Sequence, residues 1–370
     1  MPTIELLERL VAVPGPCGFE DAVARAIRTK IDPLGGVVST DAIGNLVMRL
    51  PVKSGAPSLM IMAHMDEVGL LVKYVDPDGY LYCEANGLVD ERTLLATQVE
   101  IWTDQGPRLG VVGVKSRHLL TEAELRAPLQ MNDLWIDIGA RSAKEAAALG
   151  VEIGLPVTFH RNAQRLSEHV LASKAVDNRA GCAALIEVAR QTIGRKRDYE
   201  LIFVWSTQEE IGSRGARVAA QWIQPTIAVV VDTVPANDPS TPLRHATSRV
   251  AGGPVVRAQD ARAGIGTVYA VSIKRHLIDT ARRQSIPHQI DVFPTWTDAC
   301  GVYLAGRGVP TGGVYIPRRC SHSPNEIIDV RDVEKTIALL TAFVSEVDGN
   351  TISTLASRPS HPLKYEDAPE

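Results

Sequence analysis

Two adjacent carboxylates, Glu209 and Glu210, follow the apolar run Leu201-Ile202-Phe203-Val204-Trp205 at a distance of a few polar residues. A run that apolar reads as a strand inside a sheet covered on both faces, and such sheets gather their chemistry at the carboxyl ends of the strands. Neighbouring side chains on an extended backbone point to opposite sides, so one of the two acids could hold a metal while the other faces a substrate or water. The plain alternative is an exposed acidic turn before the Gly-rich bend at 211–216. The arrangement recurs where residues 59–63 lead into His64-Met65-Asp66-Glu67, and where 227–231 end in Asp232. His64 and Asp66, two apart, share one side of an extended chain, so the carboxylate could hold the imidazole or share its metal; a surface His-Asp pair is the alternative. Asp177 precedes an apolar helical pattern carrying Ala183, Leu185, Ile186 and Val188, where capping competes with ligation. His322 sits in Cys320-Ser321-His322-Ser323-Pro324, just past a strand-like run at 314–316.

Taken together, His64, Asp177, Glu210, Asp232 and His322 are oxygen and nitrogen donors at strand ends or helix starts. Two divalent ions need about three donors each, and one bridging carboxylate lets five side chains plus water satisfy both. Glu209 is then left over as a base. Donors without thiolate fit zinc, cobalt or manganese, and ligand type does not rank these ions.

The elements that must position these groups follow from periodicity. Ile4, Leu7, Leu10 and Val11 recur at helical spacing, a turn follows at 14–18, and Val23, Ile27 and Ile31 mark a second helix. Residues 37–50 read as extended chain broken at 41–45. From 68 to about 159 short strand-like pieces alternate with turns such as Asp76-Pro77-Asp78-Gly79, which predicts a small β-domain. Near its end Ser142 and Gly150 bracket one capped helix. Beyond 172, strands alternating with helices imply βαβ units. A Pro- and Gly-rich stretch at 235–260 reads as loop near the mouth of a site, helices are predicted at about 267–284 and 329–347, and the tail beyond 350 reads as poorly ordered.

The fold class predicted is therefore α/β: a mixed, largely parallel sheet sandwiched by helices and interrupted by a small β-barrel-like domain. The expected boundaries are 1–67 and 161–350 for the two parts of the main domain, 68–160 for the insert and 351–370 for the tail. At 370 residues the chain exceeds what one core usually fills. A formal net charge of −4, without long basic runs, argues against nucleic acid or an anionic membrane as partner and favours a small substrate. Five widely spaced cysteines without a CxxC pair read as reduced thiols. The acidic start and the lack of a spanning apolar run predict a cytoplasmic protein.

The stretches Ala12-Val13-Pro14-Gly15-Pro16-Cys17-Gly18-Phe19-Glu20, Asp41-Ala42-Ile43-Gly44-Asn45, Ala63-His64-Met65-Asp66-Glu67-Val68-Gly69, Val176-Asp177-Asn178-Arg179, Gln208-Glu209-Glu210-Ile211-Gly212, Val231-Asp232 and Ser321-His322-Ser323-Pro324 resemble the M42 family of metallo-aminopeptidases in order and spacing, over nearly the whole chain. The resemblance implies that His64 and Asp232 hold one metal, Glu210 and His322 the other, that Asp177 bridges them, that Glu209 is the general base and that Asp66 orients His64. It also implies a cis peptide between Asp177 and Asn178, short peptides as substrates, and a homo-oligomer of the tetrahedral dodecamer type built partly through the inserts. A dinuclear deacylase of small N-acyl compounds is the alternative reading, ahead of a glycosidase or a non-catalytic shell protein. Two segments depart from the family pattern. Pro294-Thr295-Trp296-Thr297 replaces a Gly-rich approach to Asp298, and Arg318-Arg319-Cys320 replaces an aromatic-containing run before His322. Neither change replaces a proposed ligand, so altered specificity is the expectation.

Overall fold

The computed structural model describes residues 1–160, 163–242 and 244–357. Its main sheet is built on four parallel strands, in spatial order Glu200–Ser206, Ser58–His64, Ile227–Pro235 and Thr311–Arg319. These are the runs of near-continuous apolar residues, and they are buried along almost their whole length, as strands covered on both faces must be. Antiparallel strands extend the sheet on either side. Val37–Thr40 and Leu46–Leu50 form a hairpin beside Glu200–Ser206, while Glu326–Asp329, Val170–Ser173 and Gln164–Arg165 continue it beyond Thr311–Arg319. The sheet is thus mixed, with its parallel part confined to the centre and to a side pair, Val255–Asp260 with Gln289–Phe293.

One helix, Val176–Thr192, runs through the core and is buried on nearly every face down to Ala189. Its many small residues let it pack closely against the central strands. At Gly181 a Cβ would lie 2.3 Å from Asn178 Oδ1, and the Asn178 side chain accepts from Gly181 N–H at 3.0 Å while donating to the Val231 carbonyl at 2.9 Å. That grip fixes the first turn of the helix to the strand carrying Asp232. The expected capping role of Asp177 is not what the backbone adopts: Ala175 occupies the cap, and Asp177 and Asn178 have non-helical dihedrals. The Asp177-Asn178 peptide is cis.

Six strands, Gly69–Val75, Leu81–Asn86, Gln98–Thr103, Gly106–Val114, Leu134–Asp137 and Pro156–Phe159, close into a barrel. Its interior is filled by a separate apolar cluster that includes Val72, Leu81, Val99, Ile101, Val112 and Ile136. The helix Ala143–Ala148 lies beside it, with the Ser142 hydroxyl accepting from Glu145 N–H. The segment leaves the main sheet just after His64, and the chain rejoins that sheet at Gln164–Arg165 and Val170–Ser173, ahead of Asp177.

Further sequence-based expectations are corrected, among them the loop read at 235–260, which ends in the strand Val255–Asp260. The helix placed at 267–284 is shorter, Val271–Arg283. Part of the expected disordered tail is helical: Gly349–Ala356 is capped by Asp348 and buries Ile352 and Leu355, while 358–370 lie outside the described residues. All five cysteines are free thiols, and among the described residues no helix is long and apolar enough to cross a membrane.

Candidate metal centre

The carboxyl ends of the parallel strands converge on a cavity of about 470 Å³. His64 closes its strand, Asp232 lies within the next, and Glu209 and Glu210 sit in the turn after Ser206. Asp177 comes from the irregular first turn of the buried helix, and His322 from the loop after Thr311–Arg319. All seven candidate residues, Asp66 included, are brought into one cluster.

Asp177 is at its centre. Its Oδ1 lies 3.3 Å from His64 Nε2, which is also 3.4 Å from Asp232 Oδ1. Its Oδ2 lies 3.2 Å from His322 Nε2, which is 3.6 Å from Glu210 Oε2. Two half-sites therefore share one carboxylate, and the ligand atoms of His64, Asp177 and Asp232, and of Asp177, Glu210 and His322, lie within 4.8 Å of one another. Among the described residues, buried Asp177 Oδ1 and Glu210 Oε1 have no hydrogen-bond partner, an arrangement that costs free energy unless a cation or water completes it. The donor set and these orphaned oxygens fit a pair of divalent ions.

A second layer of contacts holds the cluster in place. Asp66, fully buried, accepts the backbone N–H groups of Glu209 and Glu210, each at 3.0 Å, and lies 3.4 Å from His64 Nδ1. One carboxylate thereby ties two strand ends together. Glu209 and Glu210 stand in a turn entered through Gln208 at positive φ, not on an extended strand. Glu326 accepts from Asp177 N–H at 2.9 Å and His322 N–H at 2.8 Å, bracing the two residues against each other. His322 Nδ1 bonds the Leu88 carbonyl, just beyond a barrel strand, at 2.7 Å, which fixes the ring with Nε2 toward Asp177 and Glu210. The Asp41–Asn45 loop supports the turn from below: Asn45 accepts from Thr207 N–H and donates to the Gly215 carbonyl. Glu67 is paired with buried Lys174 and Arg179, anchoring the chain just past His64.

Charge crowds the site. Burial opposes ionisation of Asp177, but Arg318, His322 and His64 outweigh it and hold this carboxyl well below the usual range. Burial pushes Glu209 well above that range, Glu210 up to about 8 and Asp232 up to about 6. At His322 burial is outweighed by Glu210 and Asp177, which raise it to about 9. Carboxylates this crowded and desolvated are the expected signature of a place that takes multivalent cations.

Several participants escaped the sequence reading. Arg318, expected to affect specificity from nearby, is buried and its Nη2 contacts Asp177 Oδ2. Glu326 and the Leu88 carbonyl had no motif to mark them, although Glu326 lies only four residues past His322. Asp298 bonds the Ser206 hydroxyl beneath the strand ends. In the other departing segment Pro294, Thr295 and Trp296 line the cavity wall, with Arg262 stacked 4.5 Å from the Trp296 ring centre.

Comparisons with known proteins bear on this geometry. The family model described as M42 glutamyl aminopeptidase matches residues 44–339. A lysyl aminopeptidase of Pyrococcus furiosus is 35% identical over 347 residues, covering 93% of this chain and 97% of that protein. The structure of aminopeptidase APDkam598 from the archaeon Desulfurococcus kamchatkensis superimposes with a TM-score of 0.91 at 31% identity, over 97% of this chain and 99% of that one. The TET1 peptidase of Pyrococcus horikoshii, described as assembling into a tetrahedron or a large octahedral shell, superimposes with a TM-score of 0.83 at 29% identity, over 94% and 100% of the two chains.

Proposed function

The chain belongs to the M42 family of aminopeptidases and is a hydrolase; from that premise we propose that it removes N-terminal residues from short peptides at a centre holding two divalent metal ions, with Glu209 as general base. The observation that carries the reading is Asp177, whose two carboxylate oxygens face separate donor pairs, His64 with Asp232 and Glu210 with His322. Zinc, cobalt or manganese suits this donor set. When bound, such ions supply Lewis-acid polarisation of the scissile carbonyl and lower the pKa of a coordinated water.

The rest falls to the chain's own residues. Glu209 lies within ligand distance of His64 and Glu210 yet stands outside both half-sites, which leaves its carboxylate free to accept a proton from the attacking water and return it to the departing amine. Burial raises its affinity for that proton, and cations nearby would restore the ionised form it needs. Asp66 keeps His64 and both glutamates in register. Leu88 and Trp296 both line the cavity. We further propose that 68–160 forms an inserted domain whose outer surface joins subunits in a closed homo-oligomer, of tetrahedral dodecamer type.

A panel of aminoacyl chromogenic substrates, assayed with each metal after chelation, tests the reading. Hydrolysis of substrates with a free α-amino group, lost on chelation and restored by metal, is expected. Activity confined to N-acylated amino acids would replace the reading by a deacylase. Light scattering of the purified protein tests the assembly.

A further inference from the structure

We propose that Arg318 makes the two half-sites unequal: its guanidinium, held against Asp177 Oδ2, keeps the Glu210–His322 half-site the weaker one and so sets the order in which cations load. The inference rests on the two-metal reading above and adds to it a residue and a direction.

Arg318 is not a surface side chain that has folded inward. It is 3% exposed, and its backbone is fixed between two strands, opposite Pro235 on one side and Ile328 on the other. Its Nε donates to Thr233 Oγ1 at 2.6 Å and lies 3.6 Å from Glu326 Oε1. Glu326 is the carboxylate that also accepts from the backbones of Asp177 and His322. A swing of Arg318 out of the site would therefore abandon the group that braces Asp177 and His322 against each other. The remaining nitrogen, Nη1, is buried without a hydrogen-bond partner among the described residues, and the side chain forms part of the cavity wall.

The contact is also one-sided. Nη2 meets Oδ2, the oxygen facing His322, whereas Oδ1, facing His64, has no hydrogen-bond partner among the described residues. A cation entering beside His64 finds an uncommitted Oδ1, the Asp232 carboxylate, and Glu209 nearby. A cation entering beside His322 finds Glu210 and an oxygen already engaged by a guanidinium, a group that does not lose its proton in proteins. Like charges repel strongly where water is excluded, so the second cation meets an opposition that the first does not. Outer partners of metal ligands commonly change affinity about 10–100-fold, and a gap of at least about tenfold is expected here.

The test uses the full-length protein, stripped by chelator and titrated with cobalt(II) alone, followed by calorimetry and visible absorption. Two steps of one ion per chain, separated by at least about tenfold in dissociation constant, are expected. Asp232→Asn should remove the tight step and Glu210→Gln the weak one. Arg318→Gln and Arg318→Met should tighten the weak step while leaving the first unchanged, and Arg318→Lys, which keeps the charge, should preserve the gap. Should the neutral variants fail to fold, the parental titration and the two ligand variants still decide. Loading of two ions in one step, a gap unchanged in both neutral variants, or loss of the tight step in Glu210→Gln overturns the inference while leaving the two-metal reading standing. Saturation below two ions per chain overturns that reading, and the inference with it.

Discussion

The barrel and the carboxyl ends of the parallel strands meet at the same cavity, yet they are built on opposite principles. The barrel's core is an apolar cluster closed by antiparallel pairing, and among the described residues its buried polar side chains, such as Asn86, Thr103 and Thr158, are uncharged. The strand ends bury His64, Asp66, Asp177, Glu209, Glu210, Asp232 and Arg318 within one cluster. Burying so much charge is costly unless every group is paired or ligated. The barrel side contributes uncharged groups to that cluster: the Leu88 carbonyl orients His322, and the Asn86 side-chain amide donates to the Cys17 carbonyl. The difference teaches that ionisable groups can be concentrated where a rigid sheet positions them, while the apolar neighbour supplies shape and orientation.

The largest effect expected is on the sheet side. Glu209→Gln should keep both metals, because Glu209 stands outside both half-sites, but lower kcat by at least about a hundredfold, the usual size of a general-base contribution. Metal analysis alongside turnover checks this, and loss of a metal would make Glu209 a ligand. Asp66→Asn should follow, with about a 10–100-fold loss of metal affinity, since the amide keeps one acceptor for the Glu209 and Glu210 N–H groups but loses the charge beside His64. Titration with a metal-buffered dye reads it directly, and an unchanged affinity would confine Asp66 to backbone support.

The third effect crosses to the barrel side. Gly87 has φ +100, and a Cβ there would lie 2.9 Å from Val68 Cγ1 and 3.2 Å from Glu210 Cβ. Gly87→Ala should therefore cost about 1–2 kcal/mol of stability for the unfavourable backbone and, by displacing the Leu88 carbonyl and pressing on Glu210, about tenfold in affinity at the Glu210–His322 half-site. Thermal melting and metal titration separate the two terms. Normal metal binding in a destabilised variant would show that the barrel's contact with His322 does not matter to the site.

The same contrast explains what the sequence made legible. The barrel announced itself by short alternating strands and turn residues, and the strand-end acids by their place directly after apolar runs, because both signals are local. Asp177 was ambiguous because a helix cap and a ligand at a helix start look alike until the backbone shows Ala175 at the cap. Arg318, Glu326 and Leu88 reach their partners across 141, 149 and 234 residues of chain, and no local pattern encodes a contact made by folding. The helix Gly349–Ala356 was missed because its Asn, Thr and Ser hide the spacing of Ile352 and Leu355, the residues that dock it.

The smallest effect on catalysis should come from the barrel's own core. Ile101 is fully buried in the barrel cluster, on the strand Gln98–Thr103, and neither lines the cavity nor bonds any candidate ligand. Ile101→Ala removes about three methylene-sized groups and leaves a cavity, which should cost about 2–5 kcal/mol. If the barrel is a cooperative unit of its own, that loss should raise hydrogen exchange in Gln98–Thr103 and Gly106–Val114 and spare the central strand Glu200–Ser206. Sites without shared partners couple by only a few tenths of a kcal/mol, so kcat/KM on a good substrate should stay within about twofold of the parent. Exchange and kinetics measured on one preparation decide between two pictures. Accelerated exchange in the barrel alone, with activity kept, means that the charged centre stands on the sheet and draws orientation from the barrel only through the Leu88 contact. Accelerated exchange in both regions, with metal lost, means that barrel and sheet unfold together, and that the apolar core of one is part of what holds the charges of the other.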